Sequence, residues 1–348
     1  MDQSPVSSGS TPAQALHYSI ELARLADRLG YERYWMAEHH GMEILACPAP
    51  EILMTRLAAE TSRIRIGSGA VLLPHYSPLK VAEVFRMLHA LYPDRIDLGI
   101  GRAPGGTQLE ARALRRERSA PGVTDDFPER LVELEAFLGQ GFPADHPFHK
   151  IRVTPEMPGA PDVWLLGSSE WSASAAAQLG LRYAFAHFID PQSTRAAIEQ
   201  YRAEFIPSKT VTEPRTILAL GAICAETEAE AQRLALSPRA LLRRFRTFPR
   251  HPGLVPTPEE AELELSSGPN PSAFETGEWR RYIIGTAASV RRELEEITSE
   301  LKVDELMIVT IVHDHQARLR SYELLAQSFD LEGRREEKRS DGEFTGLR

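Results

Sequence analysis

Apolar runs rich in β-branched residues alternate along this chain with longer stretches of helical period. Strands are predicted at 31–40 (YERYWMAEHH), 63–73 (RIRIGSGAVLL), 95–101 (RIDLGIG) and 162–169 (DVWLLGSS). Three more follow at 181–188 (LRYAFAHF), 216–225 (TILALGAICA) and 303–312 (VDELMIVTIV). Helical periods cover 11–29, 48–61, 78–92, 128–139, 171–179, 192–204, 226–247 and 286–301. Strands that alternate with helices predict an α/β protein with a parallel sheet covered on both faces. Seven strands are one short of a closed (β/α)8 TIM barrel. The missing one belongs at the front, where DQSPV directly precedes the first helix and reads as the end of a strand whose beginning is absent. A barrel with so truncated a first strand is expected to have a weak seam against both neighbours, because strand edges need partners.

Two stretches break the rhythm. Residues 249–285 are rich in Pro, Gly and Ser and precede the last helix–strand unit. A loop of that length in a compact domain is expected to be a lid-like insertion or disordered. The charged tail 331–348 has almost no core residues and is expected to be solvated and mobile. Residues 1–330 are thus expected to form one barrel domain.

Composition narrows the function classes. The chain has 348 residues, 42% of them hydrophobic and 26% charged, as in a globular protein with a sizeable core. A net charge of -9 argues against nucleic acid or an anionic membrane as the main partner. The two cysteines, Cys47 and Cys224, form no C-x-x-C pair, which excludes a disulfide framework and a thiolate zinc site. No signal-peptide pattern opens the chain and no apolar run approaches the roughly 18 residues of a spanning helix, so a cytoplasmic location is expected.

RIDLGIGRAPGG (95–106) poses the first chemical question. A dinucleotide fingerprint requires G-x-G-x-x-G at the start of a helix and an acidic residue closing the next strand. Here the glycines are Gly99, Gly101, Gly105 and Gly106, Pro104 interrupts the turn, and no further strand is predicted before residue 162. A barrel explains the pattern better. Ile96, Leu98 and Ile100 face the helices, while Asp97, Gly99 and Gly101 face inward and leave room for a flat ligand. Arg102 ends the strand, where barrel enzymes place working residues, and its planar fork suits a phosphate or a structural ion pair.

Four blocks carry a resemblance: YWMAEHHG, IGSGAVLLPHYSPLKVAE, RIDLGIGRAPGG and WLLGSSEWSASAAAQLGLRYAFAHF. In order and spacing they resemble the bacterial-luciferase-like flavin monooxygenases, over residues 2 to 328. The resemblance implies a (β/α)8 barrel that binds flavin mononucleotide (FMN) at its C-terminal mouth. It also implies that Arg102, Ser169 and Ser172 touch the flavin phosphate, with Gly167 and Ser168 beside them. From the residues alone, these serines at a helix start are equally ordinary N-caps. The resemblance further places His39, the first histidine of E-H-H, at the reactive face of the flavin as a proton shuttle. It puts a non-proline cis peptide at Gly69–Ala70, under the flavin ring. Tyr76, His187 and Phe188 are candidate walls of the substrate pocket. His313, Asp314 and His315 lack a third cluster for a metal, so no metal site is expected, and Asp314 is expected to cap a helix or to stand at a pocket edge.

The implied activity is oxygenation of a small organic substrate by reduced FMN and O2. No nicotinamide-binding domain is visible, so the resemblance implies a separate flavin reductase as partner, and a homodimer through the helices around 48–92. Two alternatives stand beside it: a dehydrogenase using the deazaflavin F420 on the same barrel, and a non-catalytic flavin-binding homologue.

Overall fold

The computed structural model describes residues 1–114, 126–248, 251–267 and 278–331. In chain order its elements are α1 (Pro12–Leu29), β1 (Arg33–Met36), α2 (Pro50–Glu60), β2 (Arg65–Ser68), β3 (Val71–Leu72), α3 (Pro78–Leu91) and β4 (Ile96–Gly101). Then come α4 (Gln108–Leu114), α5 (Phe127–Glu135), β5 (Asp162–Gly167), α6 (Glu170–Gln178), β6 (Arg182–Ala186), α7 (Thr194–Glu204) and β7 (Thr216–Ala225). The last are α8 (Glu228–Leu234), α9 (Leu236–Thr247), α10 (Pro258–Ser266), β8 (Tyr282–Thr286), α11 (Ala287–Leu301), β9 (Glu305–Val309) and α12 (His315–Ser328).

Every named strand pair is parallel, in the order β1–β2–β4–β5–β6–β7, with β3 beside β4. The sheet curls into the expected barrel. Outward side chains such as Ile96, Leu98 and Ile100 join the main core with Leu57, Val81 and Phe85 of the helices. Trp35, Trp164, Ala184, Ile217, Ala219 and Met307 form a separate apolar cluster within the sheet. The two periods of the sequence therefore sort into two packing layers.

The N-terminal segment lies between β9 and β1. The Met1 ammonium donates to the Ile308 carbonyl at 2.8 Å. On the other side Asp2 N–H donates to Trp35 O at 2.8 Å, and Ala37 N–H to Asp2 O at 2.9 Å. The buried Asp2 carboxylate pins this short segment, accepting from Arg318 Nη2 at 2.7 Å and Tyr34 Oη at 2.5 Å. Burial alone would raise the Asp2 pKa, but Arg318 and the hydrogen bonds hold it well below the usual carboxylate range. Tyr34, Arg33, Glu305 and Met307 line a cavity of about 570 Å³ that also reaches Met1.

Several elements differ from expectation. The predicted strand 63–73 breaks into β2 and β3, with the Gly69–Ala70 peptide in the cis form between them. The predicted helix 226–247 divides at Ala235, close to Pro238, whose ring tolerates only the first turn of a helix. The expected lid 249–285 includes α10, and its last residues are the start of β8. That strand pairs with the upper half of β7 (221–225), because β9 occupies only the lower half (217–221). Residues 249–250 and 268–277 of this segment, and 332–348 of the tail, lie outside the described residues. Helix α12 is missing from the predicted helical periods, but the cap expected of Asp314 is there, accepting from Ala317 N–H at 2.7 Å.

Candidate active site

The C-terminal ends of β1, β2, β4, β5 and β6 open on a cavity of about 450 Å³, within the range of small-molecule sites. Arg102 follows β4, and Ser169 caps α6 after β5. The Arg102 guanidinium lies 4.2 Å from the ring centroid of Trp171, in the first turn of α6. Residues 102 and 169–172 thus meet on one rim of the mouth, and all but Glu170 of this group line the cavity.

The two readings of the serines coexist. Ser169 and Ser172 form a reciprocal capping box, and Ser172 Oγ also donates to Ser169 O at 2.7 Å and meets Tyr183 Oη at 2.9 Å. Helix geometry gives the Glu170 and Trp171 N–H groups no intrahelical acceptor. With the helix dipole and the Arg102 cation, that rim attracts an anion. Gly167 and Ser168 line the same wall.

One glycine is small for another reason than the one expected. A Cβ at Gly99 would lie 2.0 Å from the Ser68 carbonyl oxygen, so the space above it belongs to the backbone entering the cis peptide. Ser68 Oγ ties the two strands together, donating to Gly99 O at 2.9 Å and accepting from Gly99 N–H at 3.0 Å. Gly101, by contrast, lines the cavity together with Gly69 and Ala70. Gly105 has φ of 64°, and its carbonyl accepts from His40 N–H at 2.8 Å, joining the two loops of the rim.

The E-H-H run divides by task. Glu38 Oε2 accepts from Leu72 N–H at 3.0 Å, while Oε1 accepts from Tyr76 Oη at 2.8 Å and meets His40 Nε2 at 2.7 Å. Glu38 and His40 therefore fix the β2–β3 backbone. His39 lines the cavity, and its enclosed Nδ1 has no hydrogen-bond partner. Burial, and to a lesser degree His40, lower its pKa from 6.5 to about 4. This corrects the expectation of an imidazole near its ordinary pKa: His39 is neutral at pH 7.

Two expected pocket walls are elsewhere. Tyr76 stands behind Glu38, outside the residues that line the mouth, because its hydroxyl is drawn to the buried carboxylate. His187 is fully buried, with Nδ1 2.7 Å from Thr194 Oγ1 and Nε2 donating to Arg280 O at 2.9 Å. It clamps α7 to the strand entering from 280. Phe188 does line the mouth, and with Ile189 it also walls a second chamber of about 350 Å³ that adjoins the first. Sequence reasoning missed this chamber and its Arg281, which lay within the segment read as a lid, and missed Trp171, whose signal was an aromatic in the first turn after the serines. Among the described residues no group of three or more His, Cys, Asp or Glu is placed to hold a metal. No helix among them is long and apolar enough to cross a membrane.

The model of the luciferase-like monooxygenases matches residues 1–305. The chain belongs to the luciferase-like monooxygenase family. Named members of the family are oxygenating oxidoreductases. A luciferase-like monooxygenase of Escherichia coli (strain K12) is 39% identical over 93% of this chain and 94% of its own length. The N-acetyl-S-alkylcysteine monooxygenase of Bacillus subtilis (strain 168) is 36% identical over 94% of this chain and 96% of its own. The crystal structure of apo-MsnO8 is 51% identical, covering 96% of this chain and 98% of that one, with a TM-score of 0.88. More distant structures share the family fold. One is the oxygenating constituent of 3,6-diketocamphane monooxygenase in complex with FMN, 20% identical with a TM-score of 0.67. Another is an F420-dependent secondary alcohol dehydrogenase, 16% identical with a TM-score of 0.64.

Proposed function

We propose that this luciferase-like protein is the oxygenase component of a two-component system. It takes reduced FMN from a separate reductase and uses O2 to oxygenate a small organic substrate. The observation that carries this reading is the meeting of Arg102 with the start of α6, at the edge of a chamber that runs inward to His39. An elongated ligand with a phosphate at one end and a flat ring system at the other fits that layout. Its phosphate would be held by Arg102 and the first turn of α6, and its ring would lie along Gly69, Ala70 and Gly167.

Bound reduced FMN supplies the electrons with which O2 is activated. The chain's own residues supply the surroundings. The apolar cluster around Trp35 and Met307 keeps water from below the ring. The Glu38 network fixes the backbone on which the ring would rest. His39, uncharged and with Nδ1 unpartnered, is able to hold or pass a proton at that atom. Phe188 and Ile189 face both chambers and set where a substrate meets the ring. Ile52, Met87 and Leu91 give α2 and α3 exposed apolar side chains through which a homodimer would form.

Titration with oxidised FMN, reduced FMN and F420, on wild-type protein and Arg102→Ala, tests this reading. Reduced FMN is expected to bind in preference to F420, and Arg102→Ala to weaken it about ten- to a hundredfold. Preference for F420, or an Arg102→Ala protein with unchanged FMN affinity, would overturn it.

A further inference from the structure

The second chamber is lined by a cation that makes no ion pair with any described residue. Its walls are apolar for the most part, with Met42, Ile44, Leu241, Leu242, Phe245 and Ile311 facing inward. Gln3, His39, Phe188 and Ile189 line both this chamber and the flavin-shaped one, so the two share a wall there. At the chamber wall, immediately before β8, stands Arg281.

Arg281 is held firmly by one nitrogen only. Its Nη1 donates to the carbonyls of Phe188 at 2.5 Å and Ile189 at 2.6 Å, which fixes the head of the side chain. Nε is enclosed and has no acceptor. No hydrogen bond of Nη2 and no ion pair of this guanidinium is present among the described residues, and no Asp or Glu lines the chamber. Burial lowers the Arg281 pKa, and Asp190, which acts on it through space, makes no ion pair with it, so the cation's desolvation is only partly offset. The edge formed by Nε and Nη2 is one that a carboxylate engages in bidentate fashion.

We propose that the second chamber is the substrate subsite, and that Arg281 is a specificity-determining residue that binds the carboxylate of a substrate whose remaining body is apolar. The substrate class is therefore a small amphiphilic acid: its head on Arg281, its chain among Leu241, Leu242 and Phe245, and its reacting part at His39 and Phe188. This rests on the reading of the first chamber as the flavin site.

Octanoate, with octanamide as its uncharged counterpart, is the probe. Binding of each is measured by calorimetry on the full chain, with and without saturating FMN, and FMN affinity is measured in parallel. Wild-type protein is expected to bind octanoate about ten- to a hundredfold more tightly than octanamide. Arg281→Gln is expected to abolish that preference while FMN affinity stays within about twofold. Leu242→Trp, which fills the chamber without touching the cation, is expected to weaken octanoate and octanamide alike. Equal affinity for acid and amide in the wild type overturns the proposal, as does a preference that survives Arg281→Gln. Should Arg281→Gln fail to fold, the wild-type comparison and Leu242→Trp still decide. Acid preference without FMN binding would leave the subsite standing and remove the flavin reading; FMN binding without acid preference would do the reverse.

Discussion

At the floor of the barrel, residues at the starts of six strands join in a chain of ion pairs. Asp97, fully buried, accepts from Arg33 Nη1 at 2.7 Å, Arg65 Nη2 at 2.6 Å and Trp35 Nε1 at 2.9 Å. Arg33 also pairs with Glu305 at 2.6 Å, and Asp162 bridges Arg65 at 2.9 Å and Arg182 at 3.1 Å. At the mouth stand two groups with spare capacity, His39 after β1 with an orphan Nδ1 and Arg281 just before β8 with one nitrogen in use, while Arg102 lies across Trp171 on the rim. Buried charges that are paired all round hold a structure in place and do no chemistry. Polar groups left incomplete carry a desolvation cost that only a ligand relieves. Orphaned polar atoms also occur in the scaffold, at Arg86 Nε, His89 Nδ1 and Ser237 Oγ, so what marks the candidate site is an orphan that lines a cavity at the mouth.

The largest effect belongs at the floor. Asp97→Asn keeps the shape but leaves Arg33 and Arg65 facing a neutral amide in a buried setting. Loss of about 3 to 5 kcal/mol is expected in denaturant unfolding, at the lower end because Glu305 and Asp162 still pair with the two arginines. The folded fraction is expected to bind FMN normally. The mirror experiment is Arg102→Ala at the mouth, where stability is expected to change by less than about 0.5 kcal/mol while FMN affinity falls by about 2 kcal/mol. If Asp97→Asn weakened flavin binding, or Arg102→Ala unfolded the protein, the division between the two ends would fail.

How much of this was legible in the sequence follows from the same division. Alternation in RIDLGIG assigned Asp97 to the inner face, and the strand–helix rhythm placed Arg102 and Ser169 at strand ends, because period and order are local properties. What the chain does not display locally is which polar group finds a partner. Tyr76 and His187 are the same kinds of residue as the expected pocket walls, but Glu38 and Thr194 claim them from 38 and 7 positions away. Arg281 was hidden differently. It follows a Pro/Gly/Ser-rich stretch, and only the pairing of β8 with the upper half of β7 brings it to the mouth. The cis bond at Gly69–Ala70 was legible through family resemblance, but the reason for Gly99 beneath it was not, because a backbone oxygen 31 positions away sets the clearance.

The next effect concerns protons at the mouth. His39 has a pKa of about 4 in the folded chain against 6.5 when free of the fold. Between those values the unfolded chain binds the extra proton. Its stabilising contribution is therefore complete above pH 6.5 and is lost as pH falls through 4. His39→Gln is expected to flatten the stability–pH curve across this window by about 3 kcal/mol relative to wild type. An imidazole resonance that instead titrated near 6.5 in the cofactor-free protein would show that His39 is paired or solvated like a surface histidine. The mouth would then lose its clearest unpartnered group.

The smallest effect is the most discriminating, because it falls on a residue with the chemistry of a site and the surroundings of the scaffold. Tyr76 is close to the mouth, yet its hydroxyl is committed to Glu38, and the same carboxylate secures Leu72 N–H next to the cis peptide. Burial, reinforced by Glu38, raises the Tyr76 pKa well above the phenol range, so it is not a proton donor at working pH. Tyr76→Phe removes one of three hydrogen bonds to Glu38 and leaves the ring in place. A loss of about 1 kcal/mol of stability is expected, with turnover of any accepted substrate reduced less than about threefold and its pH profile unmoved. A shifted pH profile with unchanged stability would move Tyr76 from the scaffold to the reacting groups. The Glu38 network would then have to be read as a proton path to His40 and not as the brace of the β2–β3 turn.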